Sequence, residues 1–348
     1  MVRAAVKSSP QAGRWQREAL TEGARALAQR RFRPPVPSTA FGGPPPRKRG
    51  GSSVGYRPFQ VIPPFPLASR EVGTLFNGSD SGPSPGCANP HGTGKGVAMT
   101  SEPKFFEARD GVRLAWREMG EGAPIILLHG LFSNAEVNWI KFGTAARVAA
   151  EGCRVIMPDL RVHGSSDAPH EEEHYPPDVL VHDLEDLIAH LGLTEFDLGG
   201  FSLGARTSAR AVVAGMKPQR LILGGMGLAG LAGWQRRGRF FKRAIAEYES
   251  VKRGDDTWLS IQFMKTMKVD RIAAGHLLDT FTDTTPEMLA ALTMPTLVVC
   301  GEQDQDNGSA EELVAALPDA RLATIPGTHM SSVTEPELGE AIAAFLTA

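Results

Sequence analysis

Leu198-Gly-Gly-Phe-Ser-Leu-Gly-Ala205 is the stretch on which the fold turns. An apolar run, Phe196 to Phe201, suits a buried strand, and the Ala-rich segment from Ala205 to Ala214, with Arg at intervals, suits a helix. Ser202 therefore stands where a strand turns sharply into a helix. Such a turn forces unusual backbone angles on the serine and brings strand and helix close together. Only residues with little or no side chain fit at Gly200 and Gly204. The hydroxyl is then held out over the end of a sheet, beside the free N–H groups of a helix N-terminus, which favour negative charge. Taken alone, the Gly200-Phe-Ser-Leu-Gly204 pattern is one that a glycine-rich chain produces by chance, so its meaning depends on its surroundings.

Those surroundings are strands alternating with helices. Upstream, two alternating runs, Phe105 to Ala108 and Val112 to Glu118, flank Asp110-Gly111, a hairpin signal. Pro124-Ile-Ile-Leu-Leu-His-Gly130 and Arg154-Val-Ile-Met-Pro-Asp159 have the continuous apolar cores of strands buried on both faces. Helical patterns run from about Glu136 to Ala150 and from Pro177 to Leu191, the second with Leu180, Val181, Leu184, Leu187 and Ile188 at helical spacing. Downstream come the strand Arg220 to Gly225, the strand Pro295 to Gly301, a helix from about Ser309 to Leu317, the strand Arg321 to Ile325 and a helix from about Glu335 to Phe345. This order predicts an α/β fold with a mostly parallel sheet, helices on both faces and right-handed crossovers. From 226 to about 292 the rhythm breaks, which predicts an insertion of mostly helices over the strand ends, a cap. Its basic run Arg236 to Arg243 reads as a solvated helix face. Trp258, Phe263 and Met264 suit a pocket lining and plain packing equally.

Composition divides the chain near Met99. Residues 1–98 hold 14 Pro, 14 Gly and 14 Lys+Arg against 4 Asp+Glu, a net charge of +10. Such a segment cannot bury enough apolar surface to offset its ordering entropy, which predicts a disordered Pro/Gly/Arg-rich extension. Three readings of it stand side by side: an upstream stretch with Met99 as the true start, a transit-like targeting segment, and an arm that contacts anionic surfaces. Residues 99–348 carry 23 Lys+Arg against 35 Asp+Glu. This part is long enough for one substantial core and too acidic for nucleic-acid binding. No apolar run approaches the length of a transmembrane segment. Three widely spaced cysteines, Cys87, Cys153 and Cys300, form no metal or redox pattern, so a reducing, cytoplasmic setting is the default. No metal and no cofactor is expected, and oligomeric state is left open.

A serine hydroxyl needs a base to act as a nucleophile, and the base is usually a histidine held by a carboxylate. His329 follows the last strand, and Glu302, Asp304 and Asp306 follow the strand before it. Ser202, the His129-Gly130 turn, Asp304 and His329 all fall just beyond strand ends, where open α/β sheets bind ligands.

With these pieces in order, residues 99–348 resemble the α/β-hydrolase fold superfamily, of the esterase and lactonase-like kind with a short helical cap. The matching pieces are His129-Gly130, Asp159-Leu-Arg-Val-His-Gly164, Gly200-Phe-Ser-Leu-Gly204, Gly301-Glu-Gln-Asp304 and Pro326-Gly-Thr-His329. The resemblance implies a nucleophile elbow at Ser202 and a catalytic triad in the chain order Ser202, Asp304, His329. It picks Asp304 over Glu302 and Asp306, and it implies an oxyanion hole from the backbone N–H groups of Leu131 and Leu203. His129 and His163 are expected to organise their loops, and His182, His190 and His276 to lie on helix surfaces. The implied activity is that of a serine hydrolase cleaving a small-molecule carboxylic ester or lactone through an acyl-enzyme. A carbon–carbon bond hydrolase, a cofactor-free perhydrolase and a small-molecule receptor are the alternatives on the same residues.

Overall fold

The computed structural model describes residues 102–348. The readings of residues 1–98, of Met99 as a start and of Cys87 lie outside the described residues. Eight strands form one sheet in the order β1-β2-β4-β3-β5-β6-β7-β8. They are β1 Lys104–Glu107, β2 Arg113–Met119, β3 Ala123–Leu128, β4 Cys153–Asp159, β5 Asp197–Phe201, β6 Leu221–Gly224, β7 Thr296–Gly301 and β8 Ala320–Ile325. The hairpin expected at Asp110-Gly111 pairs β1 with β2, and β2 then runs antiparallel to β4. Every pairing from β4–β3 to β7–β8 is parallel.

Because successive strand residues face opposite sides, each central strand feeds two cores. Ile126, Leu128 and Ile156 join the core on one face. Ile125, Leu127, Val155 and Met157 join the core on the other. Helices α1 Thr144–Ala150 and α9 Pro336–Leu346 supply Ala145, Val148, Leu338 and Ile342 to the second core. Helices α2 Val179–Leu191 and α3 Leu203–Val213 supply Leu180, Leu184, Ala205 and Ala209 to the first. The sheet is thus mostly parallel and covered on both faces.

The helix expected over about 136–150 is two pieces. A π-helical turn, Glu136–Ile140, ends before Gly143, whose φ of 86° leaves the right-handed helix, and α1 begins at Thr144. Between β6 and β7 lie four α-helices, α4 Leu228–Ala232, α5 Trp234–Ala246, α6 Trp258–Met267 and α7 Arg271–Leu278, and then a 3-10 helix, Met288–Ala291. Met264 is fully buried among core residues and Phe263 packs against them, so both pack the insertion.

The insertion is tied to the sheet by a residue of α3. Arg206 is 4% exposed. Its guanidinium donates to the carbonyls of Gly230 (2.6 Å), Leu231 (3.0 Å) and Thr282 (2.8 Å) and to the Asp283 carboxylate (2.9 Å). One buried cation thereby holds both ends of the insertion against the helix that follows Ser202. Helix α8, Ala310–Ala316, completes the set between β7 and β8, with Ser309 accepting the Glu312 N–H as its cap. Among the described residues, no helix is long and apolar enough to cross a membrane.

Candidate active site

Ser202 sits between β5 and α3 with φ 54° and ψ −109°. This backbone is one that residues with a side chain rarely adopt, and tight packing holds it there. A Cβ on Gly204 would lie 2.0 Å from the Leu128 carbonyl oxygen, and one on Gly200 would lie 2.3 Å from the Gly204 carbonyl carbon. Both contacts are with backbone, so no side-chain motion relieves them. The two glycines of the motif are what allow strand and helix to approach.

His329 lies beyond β8 and Asp304 beyond β7. The His329 Nε2 is 3.0 Å from the Ser202 Oγ, and its Nδ1 is 2.8 Å from the Asp304 Oδ2. Three residues far apart in the chain form one hydrogen-bonded line. Its inner end is dry: the side chains of Asp304 and His329 are 2% and 10% exposed. Burial by itself would raise the Asp304 carboxyl. The hydrogen bond and charge of His329, with the Asp306 N–H and Arg237, outweigh it and hold the carboxyl below its ordinary value. Glu302 is exposed and Asp306 contributes its backbone, donating N–H to Asp304 Oδ1 at 3.1 Å. Of the three carboxylates weighed from sequence, it is Asp304 that meets the imidazole.

The loop after β3 brings Leu131 to the same edge. Gly130 to Ser133 is a tight turn closed by the Ser133 N–H on the Gly130 carbonyl, 3.1 Å, with Phe132 at φ 61°. Among the described residues, neither the Leu131 nor the Leu203 N–H donates to a protein acceptor. A Cβ on Gly130 would be 3.6 Å from the Ser202 Cβ, which places this turn against the serine.

Two buried histidines lock that turn. His163 Nε2 accepts the Phe132 N–H at 3.0 Å and its Nδ1 donates to the Arg161 carbonyl at 2.8 Å. His129 Nε2 accepts the Leu160 N–H at 2.9 Å and its Nδ1 donates to the Gly130 carbonyl at 2.8 Å. Each ring must be neutral to accept. Burial pushes His163 down to about 3, with the His129 ring adding to the effect, and burial lowers His129 as well. Asp159 is a further brace that sequence reasoning left without a role. Its carboxylate accepts from the N–H groups of Ala135 (2.8 Å) and Ser165 (2.9 Å) and from Arg117 (2.9 Å). Its only sequence signal was its place at the end of β4 in the matched loop motif. His190 is exposed and stacks on Phe106 at 5.5 Å; His276 stacks on Tyr175 at 5.4 Å.

Next to the turn runs a line of aromatic rings. Phe132 meets Phe241 edge-on at 5.6 Å, Phe241 stacks with Trp234 at 6.2 Å, and Trp234 meets Phe281 edge-on at 4.8 Å. Phe241, Trp234 and Phe281 belong to the insertion, so the insertion supplies apolar surface beside the Leu131 turn.

Known proteins resemble this chain in sequence and in fold. The chain is 27% identical over 259 residues to the non-heme haloperoxidase of Rhodococcus erythropolis, across 64% of this chain and 91% of that protein. An 87-residue stretch, 25% of this chain, is 37% identical to bifunctional epoxide hydrolase 2 of Sus scrofa but spans only 15% of that protein. Among solved structures, an esterase from Exiguobacterium antarcticum superposes with a TM-score of 0.59 at 20% identity, covering 71% of this chain and all of that one, which shows a shared fold. Residues 125–342 match the profile described as "Alpha/beta hydrolase family", and with that span, this sheet order and this elbow the chain belongs to the alpha/beta hydrolase family.

Proposed function

We propose that this chain is a serine hydrolase that cleaves a carboxylic ester or lactone through an acyl-enzyme, with Ser202, His329 and Asp304 as its triad. The observation that carries the reading is the continuous hydrogen-bonded line from the Asp304 carboxylate through His329 to the Ser202 hydroxyl. In the first step the Ser202 Oγ attacks the substrate carbonyl carbon while His329 Nε2 takes its proton. The C=O electrons move to oxygen, and the N–H groups of Leu131 and Leu203 hold that charge. Each such donor is worth roughly 10²–10³ in rate. As the C–O bond of the leaving group breaks, His329 returns the proton to the departing alcohol. Water then enters, gives a proton to His329 and attacks the acyl carbon, and Ser202 leaves with that proton. Asp304 keeps the imidazole in the tautomer that these steps need.

Phe241 and Trp234, half-buried rings of the insertion that reach the Leu131 turn through the buried Phe132, support an apolar acyl or alcohol group rather than a polar one. We place the catalytic domain at 99–348 with its cap over about 226–292, and a cytoplasmic setting remains part of the same proposal. The test is turnover of aryl esters of graded acyl length and of simple lactones. Parent protein is expected to show multiple turnovers, and Ser202→Ala to show none while keeping the parent's melting temperature. Full activity in a clean Ser202→Ala preparation would remove Ser202 from the mechanism. Binding of substrate without turnover by the parent would favour a receptor.

A further inference from the structure

The basic run of α5 is not uniformly solvated. Arg236 and Arg239 are exposed, but the Arg237 side chain is only 21% exposed. Its Nη1 donates to the Asp306 carbonyl at 2.6 Å, and its Nη2 lies 4.0 Å from the Asp306 carboxylate. Asp306 is the residue whose N–H holds Asp304 Oδ1, which leaves Oδ2 to His329. A guanidinium from the insertion therefore grips the residue whose backbone N–H holds the acid.

The same loop is anchored by neutral contacts as well. Asn307 donates from Nδ2 to the Gly225 carbonyl at 2.7 Å, and the Gly230 N–H donates to the Asn307 carbonyl at 2.8 Å. These contacts fix the far side of the loop, while Arg237 fixes the side that carries Asp304. Four residues along α5 from Arg237, the Phe241 ring lies 5.5 Å from the guanidinium and meets Phe132 of the Leu131 turn. One helix thus touches both the acid loop and the turn that carries an oxyanion donor.

We propose that Arg237 is a positioning residue for Asp304, fixing its carboxylate through the Asp306 backbone and so tying helix α5 to the His329–Ser202 pair. The assignment rests on the ester-hydrolase reading above. A charge-assisted hydrogen bond is shorter and stronger than a neutral one, and this one spans the insertion and the sheet. Without it the Asp306 peptide is free to turn, Asp304 Oδ1 loses its donor, and the carboxylate no longer presents one fixed oxygen to His329. The hydrogen bond itself is a single N–H to a carbonyl, which a lysine ammonium can make while giving up the second contact to the Asp306 carboxylate and the approach to Phe241.

The experiment compares parent, Arg237→Gln, Arg237→Lys and, as a control, Arg239→Gln, an exposed neighbour on the same helix. Each is assayed for kcat and KM on an aryl ester, for rate of labelling by a fluorophosphonate, and for melting temperature. Arg237→Gln is expected to lose about tenfold in kcat and in labelling rate with KM little changed. Arg237→Lys is expected to recover most of that loss, and Arg239→Gln to match the parent. Arg237→Gln with the parent's kcat overturns the assignment. So does a loss that lysine fails to restore and that travels with a lower melting temperature. A parent that never labels at Ser202 overturns the hydrolase reading and this assignment with it, whereas a labelled parent with an indifferent Arg237 overturns the assignment alone.

Discussion

Ser202 and Asp304 depend on opposite kinds of environment. The serine is held in a left-handed backbone by glycines that let two elements touch, and its hydroxyl faces the open edge of the sheet. The carboxylate is buried, and burial alone would raise its pKa and favour the neutral acid. Its neighbours reverse that: His329, the Asp306 N–H and the Arg237 charge keep it ionised. A buried carboxylate fully engaged in this way orients a base better than an exposed one that samples many rotamers. Asp304→Asn keeps the shape, but the amide no longer provides a negative charge to stabilise the imidazolium and fix its tautomer. We expect kcat for an aryl ester to fall by on the order of 10³–10⁴ with the fold intact. Glu302→Gln, on an exposed carboxylate, is expected to leave kcat near the parent value. The reverse ranking of these two variants would move the acid to another residue.

At the scale of elements, the loop after β3 and the loop after β4 act as one unit. Asp159 ties Ala135 to Ser165, His129 ties Leu160 to Gly130, and His163 ties Phe132 to Arg161. Phe132 and Val162 both have positive φ, 61° and 77°, a conformation that β-branched and bulky residues resist. The strain is tolerated because these bonds over-determine the loops. The lock has a pH dependence. A free histidine titrates near 6.5, and burial pushes the folded His163 down to about 3. At His163 the unfolded chain therefore binds more protons across that window, so the contribution of this ring to stability is full above pH 6.5 and is lost as pH falls from 6.5 toward 3. We predict that the melting temperature declines on acidification below about pH 6.5. We also predict that His163→Gln flattens the decline, leaving the part due to His129. An unchanged slope in that variant would show that His163 does not titrate with unfolding.

Over the whole molecule, the sheet was readable from the chain because its strands are buried on both faces. Continuous apolar cores such as Ile125 to Leu128 and Val155 to Met157 leave little choice of element. The ends of those strands then place Ser202, Asp304 and His329 at one edge, so most of the site followed from the order of motifs. What could not be read was anything fixed by contacts across long separations. The break before α1 rests on the positive φ of Gly143, and the apolar periodicity runs straight through it. The inward turn of Arg206 and Arg237 depends on carbonyls more than 20 residues away. Nothing local separates Arg237 from the exposed Arg236 and Arg239, or Arg206 from the half-buried Arg210 one turn on. His163 is expected from its motif to organise its loop and does so, whereas Asp159 in the same motif gains a role only when two loops are seen side by side.

In the proposed chemistry Ser202, His329 and Asp304 work as one nucleophile. The covalent step is tested by an acid quench early in the turnover of an activated ester, followed by intact mass and peptide mapping. One acyl group per chain is expected, carried on the Ser202 peptide and absent in Ser202→Ala. Sustained turnover with no acyl group on the chain, or with the acyl group on another residue, would contradict it.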